Sequence, residues 1–284
     1  MAIIAACAVI FVAGLLAVAL WGGVAVAPAD RASDVGRMSI GEVFRRYVWW
    51  VTVAAVGGIG AGVFAGVGGR LIMRLLAATS PEAQGRITEA DEVVGVISLG
   101  GSTGLILFSG VALGVLSVIA FLLIRRWLPA GRLGGFSFGV LLLLLASTRA
   151  EPLRPDNFDF NIVGPGWLAL STFGVLVVLH GMLVAALVGR YSQSLPVLAT
   201  PLRTNDRLAV LRYWPLVPVA VLVPVAVLAV AVGVAVVVGA LLIRSTGWWS
   251  SSRVVIAGRV LLTAAGLASL PSFVSAASSI LAAS

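Results

Sequence analysis

The chain has 284 residues and a mass of 29.1 kDa; 60% of it is apolar, 11% is charged, and the mean hydropathy is +1.12. Ordinary soluble domains are about 45–50% apolar and about 25% charged, so a soluble globular domain is excluded. Disorder needs low hydrophobicity and high charge, and a disulfide scaffold needs more than the single Cys7, so both are excluded as well. The net charge of +8 comes from 19 arginines, with no lysine, against 11 acids. These arginines sit in short loops between apolar runs, which points to orientation in a lipid bilayer rather than to nucleic acid. Without lysine, Schiff-base and lysine general-base chemistry are excluded.

The composition predicts an all-α, polytopic membrane helical bundle forming one domain over 1–284. A hydrocarbon core of about 30 Å needs about 20 apolar residues of helix. Seven stretches meet or approach that length, at roughly 2–27, 47–69, 103–124, 133–148, 165–189, 213–243 and 254–270.

The first ends in Ala25-Val26-Ala27, which resembles a signal-peptide cleavage site. It lacks a basic start, and its apolar run exceeds the usual length of about 7–15 residues, so an uncleaved helix is expected. Cys7 reads there as a small buried apolar residue.

The second carries Gly58, Gly62 and Gly66, a repeated small-xxx-small ridge. Helices in lipid associate through close packing, so such a ridge marks a seam, within one subunit or between two copies. Gly110, Gly114 and Ser117 do similar work on the third, Gly181, Ala185 and Gly189 on the fifth, and Ala231, Ala235 and Gly239 on the sixth.

Segment 68–101 follows the second span. Arg70 and Arg74 are four apart and share a helix face that prolongs that span. Ser80-Pro81-Glu82 reads as a helix start with Ser as N-cap. Thr88-Glu89-Ala90-Asp91 reads as a second start, a capping-box variant, with Glu89, Asp91 and Glu92 at the positive end of a short interfacial helix. Those acids pair with Arg70 and Arg74, or else belong with them to a binding site.

The fourth stretch has sixteen residues between Arg132 and Arg149, a reach of about 24 Å, so it spans only if both arginines snorkel outward. The loop after it sets Arg149 and Arg154 among Glu151, Asp156, Asp159, Phe158 and Phe160. Such a loop could cap a cavity, bind a cation or polar solute, or be held by its own ion pairs; its acids do not have EF-hand spacing. His180 lies about two-thirds along the fifth stretch. An intramembrane ionisable residue marks a candidate site, although a lone histidine more often hydrogen-bonds a neighbouring helix. The sixth stretch, with Pro215, Pro218 and Pro224, reads as one tilted, bent helix. Arg259 lies six residues into the seventh, which is expected to end before Pro271. It either snorkels outward or is held inward as an anion or counter-ion site.

Tyr47, Tyr191 and Tyr213 each follow an arginine at a proposed span end, and Trp49, Trp50, Trp127, Trp167 and Trp214 lie near others, as interfacial aromatics do. Between spans, the first, third and fifth loops hold eleven arginines against four acids; the second, fourth and sixth hold seven against seven. The positive-inside rule then puts the first set in the cytoplasm, the N-terminus outside and the C-terminus inside.

One histidine and one cysteine cannot build a zinc or haem site of the usual ligand count, so no metal or cofactor is expected. Phosphate-loop and nucleophile-elbow motifs are absent from the sequence. Gly68-Gly69-Arg70-Leu71-Ile72-Met73-Arg74-Leu75, followed by Thr88-Glu89-Ala90-Asp91-Glu92, resembles a group of actinobacterial multi-pass membrane proteins with no established activity. The likeness is clearest over roughly 60–130, with an echo at Arg154-Pro155-Asp156 and at Gly164-Pro165-Gly166-Trp167. It implies a bacterial plasma-membrane setting and carries no mechanism.

The function expected is a small-solute or ion transport unit, not an enzyme, embedded in the lipid bilayer. Its charged external site would draw on Arg70, Arg74, Glu89, Asp91, Glu92, Arg154, Asp156 and Asp159, with His180 and Arg259 within the membrane. The alternative is a scaffold that packs through Gly58, Gly62 and Gly66 against another membrane protein or a second copy. A lipid-headgroup-modifying enzyme is a distant third. A cavity reaching His180 or Arg259 favours transport; a packed interior with an exposed glycine ridge favours the scaffold.

Overall fold

The protein is described by a computed structural model covering residues 2–27, 40–150, 152–195, 212–214 and 251–282. The chain is helical throughout these residues apart from turns and one isolated bridge. In chain order the helices are α1 (Ala2–Trp21), α2 (Ile40–Ala78), α3 (Leu99–Gly104), α4 (Ala112–Ile124), α5 (Arg132–Leu145), α6 (Gly166–Ser194) and α7 (Ser252–Ala282). A π-helical turn, Leu105–Val111, joins α3 to α4 in one rod. Among the described residues, five helices are long and apolar enough to cross a membrane: Ala2–Trp21, Phe44–Ala78, Leu99–Ile124, Gly166–Ser194 and Ser252–Ala282. The fourth predicted span is shorter than its sixteen residues suggested, since α5 has fourteen and the chain turns at Ala146. The sixth stretch, with Ala231, Ala235 and Gly239, lies outside the described residues except for Tyr213 and Trp214.

α2 is the axis of the bundle, touching α1, α4 and α6. Its glycine ridge faces inward. A Cβ on Gly62 would lie 2.5 Å from the Gly110 carbonyl oxygen, and one on Gly66 would lie 2.7 Å from the Ile106 Cα. Gly58, Gly62 and Gly66 are therefore a seam between α2 and the α3–α4 rod. Of the two uses expected of the ridge, this is packing within one subunit, and it leaves the ridge unexposed to a partner or second copy. A second seam joins α5 to α6, where Gly139 faces Gly181 and Val178, and Gly135 faces Ala185 and Met182. α1 contributes a stripe of Cys7, Gly14, Ala17 and Val18, and its Phe11 stacks on Phe64 of α2 at 4.8 Å.

Polar contacts at the helix ends sort the loops into two sets. At one end the Trp49 indole donates to the Leu195 carbonyl (2.8 Å), the Ala27 amide to Ser192 Oγ (2.9 Å) and Arg132 to the Ala19 carbonyl (2.6 Å). Arg125 lies over the Trp50 ring and Arg190 over Trp21. This is the arginine-rich end. At the other, mixed-charge end, Ser80 Oγ donates to the Gly164 carbonyl (2.6 Å) and accepts from its amide (3.0 Å).

α7 departs from expectation twice. A Cβ on Gly258 would run into the Trp127 ring at the arginine-rich end, whereas Gly266 faces Leu141 and Leu144 farther along α5. α7 thus starts at the arginine-rich end and finishes at the mixed-charge end, as α5 does. Strict alternation of seven spans required the reverse. Arg253 consequently joins the arginine-rich end, and Ala2 and Ala282 share an end rather than lying at opposite ones. The helix also continues through Pro271 to Ala282. Proline removes one hydrogen bond and crowds the preceding turn. In apolar surroundings, however, leaving the helix would expose many more backbone groups than that one.

Gly62→Val should destabilise the protein by about 1–3 kcal/mol or more, the usual cost of overpacking, read as a lowered melting temperature in detergent. Gly69→Ala should be neutral or gain up to about 1 kcal/mol, because its Cβ would meet nothing nearer than Leu105 Cδ2 at 4.0 Å. In a Cys7→Ala background, Ala130→Cys and Ser252→Cys should react with an impermeant thiol reagent from the same side of the membrane, and Gln84→Cys from the other. Labelling of Ser252→Cys together with Gln84→Cys would contradict the direction of α7.

Candidate functional site

Arg70 and Arg74 lie in the last turns of α2, as expected, but neither pairs with an acid. Arg74 Nη1 donates to the Gly95 carbonyl (3.0 Å). Arg70 Nη2 is buried and has no hydrogen-bond partner.

The segment after them is a hairpin-like turn rather than the predicted interfacial helix. Gly85 and Gly95 take positive φ (83° and 88°), and Asp91 does so at the tip (57°). The Thr88 amide donates to the Glu92 carbonyl (2.9 Å) and the Val94 amide to the Arg86 carbonyl (2.9 Å). Thr88 Oγ1 accepts from the Glu92 amide (3.2 Å), clipping the turn shut. β-branched Ile87, Val93, Val94 and Val96 suit extended backbone better than helix, and Thr88 spends its hydroxyl inside the turn. The true helix start comes ten residues later at Ser98, whose Oγ accepts from the Gly101 amide (2.9 Å) and donates to Glu92 Oε2 (2.9 Å). Glu92 therefore does lie by a helix N-terminus, that of α3. Ser80 does stand at the N-cap position, with Pro81 beginning a helix start that is only a short 3-10 turn, Pro81–Ala83, but its side chain makes no capping bond.

The second loop at this end folds over the first. Arg154 forms ion pairs with Glu89 and, at 3.3 Å, with Asp156. Asp159 Oδ1 accepts from the Glu89 backbone amide (2.8 Å), so Glu89 is engaged at both its backbone and its side chain. Buried Leu153, Phe160, Ile162 and Val163 anchor this loop from beneath. Burial pushes the Asp159 carboxyl up from its usual value of 3.8, and the nearby Glu89 charge adds to the rise; the Glu89 amide and Arg154 oppose it.

Beneath these loops lies a cavity of about 710 Å³. Arg70, Arg74, Glu89, Glu92 and Asp159 line its upper part; Ser109, Ser117 and His180 line its depth. Leu113, Leu116 and Ala120 of α4 face Leu142 and Ala146 of α5 across it. Those two helices meet nearer the arginine-rich end, where Phe121 and Phe138 make an edge-on contact at 5.2 Å. Of the eight external candidates, five thus converge. Arg154 and Asp156 form the outer clasp, and Asp91 occupies the exposed tip. Arg259 is exposed on the outer face of α7, which corrects its grouping with this site: the inward faces of α7 are its small residues, so a long cation is turned out.

His180 ties three helices together. Its Nδ1–H donates from α6 to the Ala61 carbonyl of α2 (3.0 Å), the only role a carbonyl partner allows. Its Nε2 lies 2.8 Å from Ser117 Oγ of α4, and that oxygen is also 2.9 Å from the Gly114 carbonyl. The sequence reading treated Ser117 as a small packing residue and did not single out Ser109 or Ser147. Their signal was there, as hydroxyls inside apolar runs, but small size accounts for such residues equally well. Among the described residues no three His, Cys, Asp or Glu side chains converge as a metal site.

No known protein family, curated protein or solved structure matches the chain.

Because its proton is held more tightly in the folded state, Asp159 stabilises the fold below the ordinary 3.8. That contribution is lost as pH rises through the raised folded value. Asp159→Asn keeps an acceptor for the Glu89 amide and cannot ionise. The melting temperature of wild type relative to the variant should therefore fall as pH rises from about 3 towards 6. A difference that does not change with pH would contradict the assignment.

Proposed function

We propose that the chain is a transport unit of the bacterial plasma membrane that admits a small solute or ion through a charged mouth at its external face. The observation that carries this reading is the cavity of about 710 Å³ that runs from the Arg70–Asp159 level to His180. Its size falls within the range of about 300–1,000 Å³ usual for small-molecule sites. The arginine-rich end, with Arg45, Arg46, Arg125, Arg126, Arg132, Arg190 and Arg253, is assigned to the cytoplasm by the positive-inside rule. The mixed-charge end and the cavity mouth then face outward. The scaffold alternative loses its main support, because the glycine ridge it needed is buried between α2 and α4.

The test is water access from outside. In a Cys7→Ala background, Ser109→Cys and Ala120→Cys should react with an externally added, membrane-impermeant thiol reagent. Val118→Cys, at a position fully buried between helices, should not. Protection of both Ser109→Cys and Ala120→Cys would mean a closed bundle and overturn the reading.

A further inference from the structure

The cavity is built for a ligand with two chemically different halves. Counting along α2, Arg70 lies twenty residues from Trp50, which is about 30 Å of helix and the thickness of a hydrocarbon core. With Trp50 at one interface, Arg70 stands at the other, level with lipid headgroups. Its buried Nη2 has no partner, while the acids around it are engaged elsewhere. Glu92 accepts from Ser98, Glu89 pairs with Arg154, and Asp159 accepts from the Glu89 amide. A buried guanidinium N–H left without an acceptor is costly, and its planar fork matches phosphate oxygens. Below Arg70 the walls turn aliphatic, with Leu113 and Leu116 on one side, Leu142 opposite, and Phe173 and Leu176 from α6. Leu116 is 61% exposed on the bundle surface, so the crevice between α4 and α5 opens sideways towards lipid. The π-helical turn that widens α3 into α4 supplies Leu105, Ser109 and Gly110 to the same wall; such turns are frequent at functional sites.

We infer that the solute is a phosphate-headed lipid amphiphile, its phosphate on Arg70 and its acyl chain in the crevice between α4 and α5. This rests on reading the cavity as a solute site and names the solute's class. A free phosphate compound shares the headgroup chemistry but leaves the aliphatic crevice empty.

Native mass spectrometry of the purified full-length chain in detergent, with three probes, tests this. The probes are lysophosphatidylglycerol (head and chain), glycerol 3-phosphate (head alone) and a monoacylglycerol (chain alone). Lysophosphatidylglycerol should bind at least about tenfold more tightly than either fragment, the order expected of a charge-assisted hydrogen bond added to apolar burial. Arg70→Gln should reduce it to the level of the monoacylglycerol. Leu116→Trp, on the exposed edge of α4, should weaken lysophosphatidylglycerol by narrowing the crevice and leave glycerol 3-phosphate unchanged. Equal binding of glycerol 3-phosphate and lysophosphatidylglycerol would overturn the lipid assignment and leave a polar-solute cavity standing. Equal binding of the monoacylglycerol, or no effect of Arg70→Gln in a folded variant, would overturn the phosphate contact. Binding of no probe would overturn the inference entirely, and the labelling of Ser109→Cys would then decide separately whether the cavity reading falls with it.

Discussion

Backbone lies on backbone where α2 crosses α4, and the rest of the bundle is arranged around that crossing. Gly62 faces the Gly110 carbonyl and Gly58 faces Gly114 with no side chain between them. Helices in apolar surroundings gain nothing from hiding apolar area from one another, so close approach of this kind supplies their attraction through dispersion and weak Cα–H···O contacts. The crossing brings Ala61, next to Gly62, to where its carbonyl receives His180 from α6, and it brings Ser117 to the other side of the same imidazole. Three helices are thereby fixed at one level. With α4 drawn against α2, its partner α5 is left to meet it through Phe121 and Phe138 near one end, and the space between them at the other end is the cavity.

The roof of that cavity satisfies its own charges almost entirely. Glu89 receives Arg154 on its side chain and offers its amide to Asp159, so two loops more than sixty residues apart in sequence are joined at one residue. Thr79 and Ser80 both donate to the Gly164 carbonyl and fix the same two loops at a second point. Arg74 reaches the hairpin backbone. What remains is the Arg70 Nη2, buried and without a partner, on a residue that lines a space whose other walls are mostly hydrocarbon. The chemistry of the site is defined by that one unsatisfied donor more than by the number of charges surrounding it.

The sequence made the helices legible wherever apolar length was the deciding quantity. α1, α2, the α3–α4 rod and α6 fall where the hydropathy placed them, and Arg70 and Arg74 prolong α2 as their spacing required. The close-packed faces were legible as small residues at fourfold spacing, although the pattern alone could not say whether Gly58, Gly62 and Gly66 met a helix of the same chain. Failures came where a local signal had two physical uses. Thr88 and Ser80 have the composition of helix caps, and each uses its hydroxyl elsewhere, one to close a turn and the other to reach Gly164. Pro271 reads as a stop, yet the helix runs through it. The direction of α7 was inferred by strict alternation of seven spans, so it depended on every crossing assumed before it. Arg259 was grouped with the external charges because it is an ionisable residue within an apolar span, near the end that alternation placed outside. The cavity had no sequence signal, because it is a gap between helices rather than a property of any one of them.

Among the described residues, those that line the cavity fall between Ile4 and His180. In the order of synthesis, these walls are made while α7 has still to leave the ribosome. α7 packs on α5 and α6 mainly through small residues of its own, Gly258, Gly266, Ser269 and Ala276 among them, and contributes nothing to the walls of the cavity. α7 is thus free to diverge, to be exchanged or to acquire a separate task while the pocket formed ahead of it stays the same.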